Sequence, residues 1–335
     1  MPVTSGAIRE KRNALIVDAL SEALQAVKLS GAVFMTMDFR APWCVLTNEA
    51  PLRRAMPHVE HMLHFHYVLE GQCHVRIAGT QQRVVVHAGE VVLIAHGDNH
   101  EVSSDPHLAS TPIESLLPPG GGRPLLRLQH GGNGEATLVV CGFLACDPRL
   151  CRALLQALPR LMTVALRSGP SGAWIEATVQ QSLLEASSGR SGAGAMLARL
   201  AELLFVEALR CHVETLDAQQ SGWLAGLRDP LVGRALASLH RQPQRDWTVE
   251  HLAGEIGCSR SVLAERFTHY LGTPPMRYLA RWRLALAASA LRSDPGARLA
   301  RVAEAVGYTS ETAFNRAFKR EHGHSPQRWQ RLVSA

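Results

Sequence analysis

The sequence lacks any apolar run that approaches the roughly 20 residues a membrane-spanning helix needs. Its first residues carry Glu10, Asp18 and Glu22 through the stretch where a secretory leader would be apolar, and they contain no small-residue cleavage site. A nucleotide-binding glycine loop, a catalytic Ser/His/Asp signature and a deaminase signature are also missing. The missing apolar run and the missing leader argue against a membrane or secreted protein and predict a cytoplasmic one. The missing signatures argue against the enzyme classes that carry them.

Cysteine is scarce and irregularly placed. The chain has seven cysteines, an odd number, and no CxxC pair. Zinc-finger spacing and a secreted disulfide framework are therefore poorly supported. Cys141, Cys146 and Cys151 recur every five residues, a period that fits neither one helix face nor one strand face. Two interpretations stay open: buried or incidental thiols, or one thiol that senses oxidants.

Charge is distributed unevenly, although 46% hydrophobic and 19% charged residues make an ordinary globular composition. From Arg228 onward, 17 Lys and Arg face 9 Asp and Glu, a net charge of +8, whereas residues 1–227 carry −2. A basic final third is a candidate for binding nucleic acid. Histidine is skewed the other way, because ten of the 16 lie between His58 and His130.

Hydrophobic periodicity divides the 335 residues into regions. A helical apolar period comes first and is followed, up to about Phe143, by short β-rich runs separated by Gly, Pro and Asp/Asn turns. Such runs are typical of a sandwich or barrel, and helical patterns follow them. The predicted domains are an N-terminal helix (1–30), a β-rich barrel (31–147), a helical dimerisation or linker region (148–227) and a basic helical domain (228–335).

The longest helical pattern is AMLARLAELLFVEALRCHVETL, at 195–216. Its apolar residues fall at Leu197, Leu200, Leu203, Leu204 and Val206. A stripe of this width packs either inside its own domain or against a second copy of the chain. The sequence leaves both interpretations open.

The last third contains an internal repeat. VEHLAGEIGCSRSVLAERFTHYLGTPPMRY (249–278) aligns with LARVAEAVGYTSETAFNRAFKREHGHSPQRW (299–329), with one extra residue in the second turn. Each copy predicts a short apolar-striped helix, a glycine turn, a serine that caps the next helix and a second helix that ends at glycine. That pattern is a helix-turn-helix, and here it occurs twice.

The second helix of each copy buries one face and offers the other. The exposed residues on the first should be Arg260, Ser261, Ala264, Glu265, Thr268 and His269, and on the second Glu311, Thr312, Asn315, Arg316 and Lys319. YLARWRLALAASALR, at 278–292, predicts a continuous helix that holds the two apart. Recognition helices about 34 Å apart can enter successive major grooves of DNA. The alternative is a helical bundle with a solvated basic face.

These motifs identify a family. Residues 229–331 closely resemble the AraC/XylS-type DNA-binding domain, in WTVEHLAGEIGCSRSVLAERF, GTPPMRYLARWRLALAASALR and VAEAVGYTSETAFNRAFKREHGHSPQRW. The front resembles the cupin-type sensor domain that precedes this module in one branch of the family, in HYVLEGQCHVRI, HAGEVVLIAHGDNHEVS and CGFLACDPRLCRALLQALP. The resemblance implies an α+β multidomain fold, with a cupin-like β-barrel and flanking helices before an all-α double helix-turn-helix domain.

The resemblance also implies a function and its residues. It implies a sequence-specific transcription regulator, not an enzyme, whose cupin domain senses a small-molecule, metal or redox signal. The base-reading positions of such domains fall here on Ser261, Ala264, Glu265, Glu311, Thr312, Ala313 and Arg316. Ala264 and Glu265 depart from the longer donors often found there. Arg316 suits a bidentate contact to guanine, and Glu265 could accept from cytosine N4. Arg260, Asn315 and Lys319 complete the predicted DNA-binding face.

The stretch HFHYVLEG, beginning at His64, is the candidate sensor site. On a β-strand His64 and His66 would share a face. Cupin metal sites draw on such a His-x-His with a later Glu, here Glu70, and on a histidine after a glycine turn, here His100. Three imidazoles and a carboxylate suit Zn, Ni, Fe(II) or Mn. A bound metal, a metal-free polar pocket and plain packing are the interpretations that stay open.

Two other function classes are compatible with the sequence. One is a cupin dioxygenase or isomerase with an appended DNA module, and the other is a nucleoid-type or RNA-binding protein that uses the basic third without sequence choice. For the regulator, the expected partners are double-stranded promoter DNA, a small-molecule effector and a second copy of the chain in a homodimer. RNA polymerase is a further candidate partner, and a membrane is not expected.

Overall fold

The computed structural model describes residues 20–22, 24, 25, 27, 29–49, 54, 56, 59–118, 125–217 and 220–334. Their contacts form two units. The N-terminal unit comprises residues 29–148 and 158–215. The C-terminal unit comprises residues 149–157, the chain from Leu216 onward and the described residues before Leu29. Most of the predicted N-terminal helix, residues 1–30, lies outside the described residues.

β-Strands build most of the N-terminal unit. They are β1 (Ser30–Arg40), β2 (Cys44–Thr47), β3 (His61–Glu70), β4 (Gln72–Ile77), β5 (Arg83–His87), β6 (Glu90–Ile94), β7 (His100–Ser103), β8 (Thr111–Pro112), β9 (Leu126–Gly131), β10 (Ala136–Cys146) and β11 (Leu161–Ala165). A 3-10 turn, Ile113–Ser115, follows β8. The helices of this unit are α2 (Gly172–Ser187) and α3 (Ala193–Thr215), and α1 (Arg152–Ala157) belongs to the C-terminal unit.

The strands form two sheets. One has six strands in the order β11-β6-β3-β10-β1-β9, and the other has five in the order β5-β4-β7-β2-β8. Phe39 and Val68 from the first sheet join Val75 and Val102 from the second in one buried apolar cluster. The core of this unit therefore lies between the sheets, where alternate side chains of β3 meet those of β7.

Strand β3 contains an irregularity that matters for the candidate sensor site. It pairs antiparallel with β10, where Val139 lies opposite Val68 but Leu138 lies opposite Glu70. Leu69 is thus an extra residue, a β-bulge. A bulge reverses the alternation of side chains beyond it, so Glu70 does not continue the face of His64 and His66.

Helix α3 packs inside its own unit. Leu197, Leu200 and Leu204 are buried, and the helix lies mainly along β1, with contacts to α2 as well. Of the two interpretations of its apolar stripe, the intramolecular core accounts for these residues. A dimer contact through the same face would need the helix to leave β1.

The C-terminal unit is helical. After α1 its helices are α4 (Trp223–Arg228), α5 (Pro230–Arg241), α6 (Val249–Ile256), α7 (Arg260–Leu271), α8 (Pro275–Ser293), α9 (Leu299–Ala305), α10 (Glu311–His322) and α11 (Pro326–Ser334). Helices α6–α7 and α9–α10 are the two predicted helix-turn-helix motifs, with α8 between them. The fold class predicted from the sequence is confirmed, with the β-rich part described as two sheets.

Local chemistry explains where the motif helices begin and turn. Ser259 accepts a hydrogen bond from the Val262 amide at 3.3 Å, and Ser310 accepts one from the Ala313 amide at 3.4 Å. These are the N-caps of α7 and α10. Gly257 and Gly307 have φ of 76° and 85°, the left-handed conformation that each tight turn needs and that glycine adopts without strain. Along the part of the chain that the structure describes, every helix is too short or too polar to span a bilayer.

Candidate functional site

The outward faces of α7 and α10 carry the predicted DNA-binding residues. Ser261 and Glu265 are exposed on α7, and Ala264 is half-buried. On α10, the exposed residues are Glu311, Thr312, Ala313, Arg316 and Lys319. Phe267 and Phe318, on the opposite faces, are fully buried. The two helices therefore present the predicted residues to solvent while their aromatic faces anchor them.

Two of the predicted residues, Arg260 and Asn315, are less open to DNA than the sequence suggested. Arg260 forms an exposed ion pair with Glu250 at 2.9 Å, so a phosphate or base would compete with that carboxylate. Asn315 is only partly exposed, and its Oδ1 atom is buried without a hydrogen-bond partner among the described residues. The base-reading role of all these residues stays a prediction.

The structure adds a positioning contact that sequence reasoning missed. Asp229 caps α5 by accepting hydrogen bonds from the Leu231 and Val232 amides at 3.0 and 2.9 Å. The same buried carboxylate forms an ion pair with Arg266 of α7, whose Nε donates at 3.0 Å. Arg266 therefore ties the first recognition helix to α5, and a phosphate would compete with Asp229 for it. The Asp-Pro start of α5 was the one local signal for this cap.

The histidine cluster of the N-terminal unit consists of His64, His66 and His100. His64 and His66 lie on β3 in one sheet, and His100 lies on β7 in the other. The Nε2 atoms of His66 and His100 are 2.7 Å apart, and the ring centroids of His64 and His100 are 5.4 Å apart. All three side chains are buried. The strand alternation that predicted a shared face for His64 and His66 brings them to the space between the sheets.

The hydrogen bonds of the cluster assign its protons. The Nδ1 atom of His100 lies 2.9 Å from the Asp98 carbonyl oxygen, which can only accept, so this nitrogen carries the proton. The Nε2 atom of neutral His100 then accepts from the Nε2–H of His66. The Nδ1 atom of His66 is left as an acceptor for the Cys141 thiol, 3.0 Å away. A directed chain thus runs from Cys141 through both imidazoles to Asp98.

The environment keeps these imidazoles neutral. Burial lowers the pKa of His64 to about 3, with smaller contributions from His100 and His61. It lowers the pKa of His100 to about 4 against the opposing effect of Asp98. The pKa of His66 also lies well below its ordinary value, again mainly through burial. Neutral rings agree with the proton assignment, because each of the hydrogen-bonded pair has one donor and one acceptor nitrogen.

Glu70 does not join the histidines. Its side chain is exposed at the end of β3, beyond the bulge at Leu69. The expectation that all four residues converge on one interior site was therefore wrong for Glu70, because simple alternation does not carry across a bulge. Cys141 takes the place next to His66 instead, since the β3–β10 register sets these two residues opposite each other. No local signal in the sequence indicated that pairing.

The geometry bears on the predicted metal. In the part of the chain that is described, no group of three or more His, Cys, Asp or Glu side chains is arranged to hold a metal ion. Two nitrogens on one tetrahedral metal would be roughly 3.3 Å apart at bond lengths of about 2.0–2.1 Å. The 2.7 Å between His66 and His100 is a hydrogen-bond distance. The described arrangement fits a hydrogen-bonded cluster, and a Zn, Ni or Fe centre stays a prediction.

The cysteines of the N-terminal core are poorly suited to sensing oxidants directly. Cys141 is fully buried, and burial raises its thiol pKa well above the ordinary value, with a smaller effect from Cys73. Burial also raises the pKa of Cys73 to about 12. Because the thiolate is the reactive form, both sulfurs are in an unreactive state. The described cysteines are free thiols.

Comparisons with known proteins agree with this architecture. Residues 18–214 match a family model described as Cupin, and residues 252–332 match one described as Helix-turn-helix domain. An AraC-like transcription regulator of Streptomyces lividans is 35% identical over 269 residues, which is 78% of this chain and 84% of that protein. The chain belongs to the AraC family of transcription regulators.

Two further relatives extend the likeness over nearly the whole chain. An AraC-like transcription regulator of Streptomyces antibioticus is 31% identical, with 92% of this chain and 97% of that protein covered. The HTH-type transcriptional regulator AlkR of Acinetobacter baylyi is 29% identical, with 93% and 99% covered. The predictions of a DNA-binding transcription regulator, and of a regulator in place of an enzyme, are confirmed by these relatives.

The buried imidazoles make the stability of the N-terminal unit pH-dependent. Unfolding returns each histidine pKa to about 6.5. Below that pH the unfolded chain binds protons, whereas the folded cluster stays neutral. The free energy of unfolding should fall as pH drops from about 6.5 towards 5, by up to about 1.4 kcal/mol per pH unit for each histidine. Calorimetry of the full chain in chelator would measure this slope. His100→Asn should reduce it, and His87→Asn, at an exposed position, should not. Equal slopes in all three proteins would contradict the assignment.

Proposed function

We propose that this AraC-family regulator is a one-component sensor whose N-terminal unit receives a small-molecule effector at the histidine cluster. The observation that carries the proposal is the hydrogen-bonded pair His66–His100, which joins the two sheets inside the apolar core. Burying two neutral imidazoles is costlier than filling the same space with apolar side chains. An effector with its own donor and acceptor would compete for the same hydrogen bonds and shift the sheets relative to each other.

The double variant His66→Leu/His100→Leu tests this site. It removes both partners together and leaves buried side chains of similar bulk, which costs less stability than removing one. Transcription from the DNA upstream of the protein's own gene should lose its dependence on growth conditions. The affinity of the purified variant for that DNA should stay within about threefold, a change below 1 kcal/mol. His87→Leu is the matched surface control. A double variant that keeps the full range of response would refute the proposal.

A divalent transition metal is the second candidate signal. Its nitrogen ligands would be the facing Nε2 atoms of His66 and His100, with His64 close by. Metal ligation would require the His66 proton to move from Nε2 to Nδ1. The Nδ1–H group would then donate a hydrogen bond to the Cys141 sulfur. Calorimetric titration of the full chain with zinc separates the two signals. Uptake of one zinc that disappears in His100→Asn supports the metal, and weak uptake that is equal in both proteins supports the organic effector.

We further propose that Arg316 reads a base while the surrounding cations hold phosphates. Arg316 and Lys319 are exposed on the outward face of α10, in the basic final third of the chain. The 19 residues of α8 span roughly 28 Å at about 1.5 Å per residue, which suits two recognition helices in successive major grooves. Contact with RNA polymerase stays a prediction.

Arg316→Ala in the full chain should weaken binding to a specific promoter site by about 1–3 kcal/mol and change binding to random DNA little. If about six to eight phosphates are neutralised, log K should fall with log[salt] at a slope of roughly −5 to −7. Fluorescence anisotropy at several salt concentrations measures both. Arg199→Ala, on α3 of the N-terminal unit, is the control and should match the unchanged protein. Equal losses of affinity for specific and random DNA would show that Arg316 contacts a phosphate and not a base.

For the homodimer, we propose a contact through α2 in place of α3. The outer face of α2 carries Trp174, Ala177, Gln181 and Leu184 at heptad-like spacing, without a charged residue among them. Trp174 is 59% exposed and Leu184 is 62% exposed. A two-fold axis would set this face against its own copy, with Trp174 near Leu184 of the partner subunit.

Trp174→Glu should weaken self-association by at least about tenfold, because it places a charge in a desolvated contact. Sedimentation velocity of the full chain over a range of concentrations would detect the change. Val85→Glu replaces another exposed apolar residue, on β5, and should leave association as in the unchanged protein. A monomeric unchanged protein, or equal effects of the two substitutions, would exclude α2 as the contact.

A further inference from the structure

The C-terminal unit contains a cavity of about 280 Å³ that the histidine cluster does not account for. Its wall brings together α1, the end of α7, the linker helix α8 and the last turn of α10. Leu150, Leu154, Trp223 and Ala285 make much of the wall apolar. At ~30 Å³ for each water in the liquid, the volume equals roughly nine waters, or a molecule of about ten non-hydrogen atoms.

Three buried polar atoms on residues that line this cavity lack hydrogen-bond partners among the described residues. They are Trp282 Nε1, His240 Nδ1 and Thr273 Oγ1. Buried polar groups of folded proteins are nearly always paired, and leaving one unpaired is unfavourable. All three belong to residues that line one mostly apolar cavity, so a molecule bound there is a candidate partner for them.

Neighbouring hydrogen bonds show what that partner must offer. Trp223 Nε1–H donates to the Tyr278 hydroxyl oxygen at 3.1 Å, and the Tyr278 hydroxyl lies 2.8 Å from His240 Nε2. The arrangement that leaves the fewest groups unpaired has Tyr278 donating to His240 Nε2, so neutral His240 carries its proton on Nδ1. The indole N–H of Trp282 is also a donor. Residues that line the cavity therefore hold two N–H donors and one hydroxyl without partners among the described residues, and an acceptor atom would pair with them.

The charged residues that line the cavity already have partners. Arg152 pairs with Glu321 at 3.2 Å, and Arg281 lies 4.0 Å from the same carboxylate. The Arg149 guanidinium stacks over the Trp329 ring, 4.5 Å from its centroid. An anionic ligand would compete with the Glu321 carboxylate for these cations, whereas a neutral one would leave the contacts unchanged. The combination of apolar walls, free N–H donors and paired cations suits a small neutral molecule with one carbonyl oxygen.

We propose that this cavity is a second small-molecule site, one that takes a neutral, mostly apolar carbonyl compound into the DNA-binding part of the chain. The bound molecule would touch Thr273, after the first helix-turn-helix, and His322, at the end of the second recognition helix. It would therefore bias the relative setting of the two recognition helices through α8. This site does not depend on what the histidine cluster binds.

The test uses a matched pair of probes, acetophenone and ethylbenzene, which differ in the carbonyl oxygen. Both are titrated into the full chain and followed by ligand-observed NMR. Acetophenone should bind about three- to tenfold more tightly than ethylbenzene, because its carbonyl oxygen accepts a hydrogen bond from an otherwise unpaired donor. Absence of binding by either probe up to about 5 mM, or equal affinities, would overturn the proposal.

Substitutions locate the binding. Trp282→Phe/Thr273→Val removes two of the three unpaired groups, with a loss of side-chain volume at residue 282, and should reduce the preference for acetophenone to about twofold or less. Ala285→Leu should fill part of the cavity and weaken both probes. Trp247→Phe is the matched control, because the Trp247 indole already donates to the Gln242 carbonyl oxygen outside the cavity. His100→Asn should keep the preference, which separates this site from the histidine cluster. A preference that survives the double substitution, or affinities that Ala285→Leu leaves unchanged, would place the probe elsewhere and refute the site.

Discussion

Burying an imidazole in an apolar core is costly unless its ring nitrogens have hydrogen-bond partners, and the His66–His100 pair of the N-terminal unit meets that condition. His66 belongs to one sheet and His100 to the other, so the bond between them ties the two layers directly. Cys141 and the Asp98 carbonyl complete the chain at its ends. Because every partner depends on the next, a molecule that displaces one of them affects both sheets.

The loop that ends this chain is itself held in place. Arg160 forms an ion pair with Asp98, and its Nε donates to that carboxylate at 3.1 Å. The Asp98 backbone oxygen is then positioned to accept from His100, which fixes the tautomer of that ring. In the C-terminal unit the same condition is not met, since His240 and Trp282 keep unused N–H groups beside an apolar cavity. The two units thus offer different chemistry to small molecules: a satisfied polar chain in one, and unpaired donors in the other.

The recognition helices depend on contacts that never reach DNA. Asp229 serves as the cap of α5 and as the partner of Arg266, so one buried carboxylate sets the orientation of α7. In the second motif, His322 lies between Phe318 and Trp329, with ring centroids 4.4 and 5.3 Å away. These anchors leave Glu265 on one helix and Arg316 on the other exposed to solvent. The basic charge of this third suits DNA in general, whereas discrimination among sequences would depend on base contacts such as the one proposed for Arg316.

Helix periods, serine caps and turn glycines act over a few residues, so the sequence by itself determined the double helix-turn-helix and the exposed face that carries Arg316. Strand alternation, also local, determined that His64 and His66 share a face. The exclusion of Glu70 from the cluster and the place of Cys141 beside His66 were decided by tertiary structure. The bulge at Leu69 and the β3–β10 register arise from pairing with a strand about 75 residues away in the sequence. The unpaired donors at the C-terminal cavity are likewise invisible in the sequence. Whether a buried polar atom is satisfied depends on which distant side chains come within hydrogen-bond reach, and only packing of the whole unit settles that.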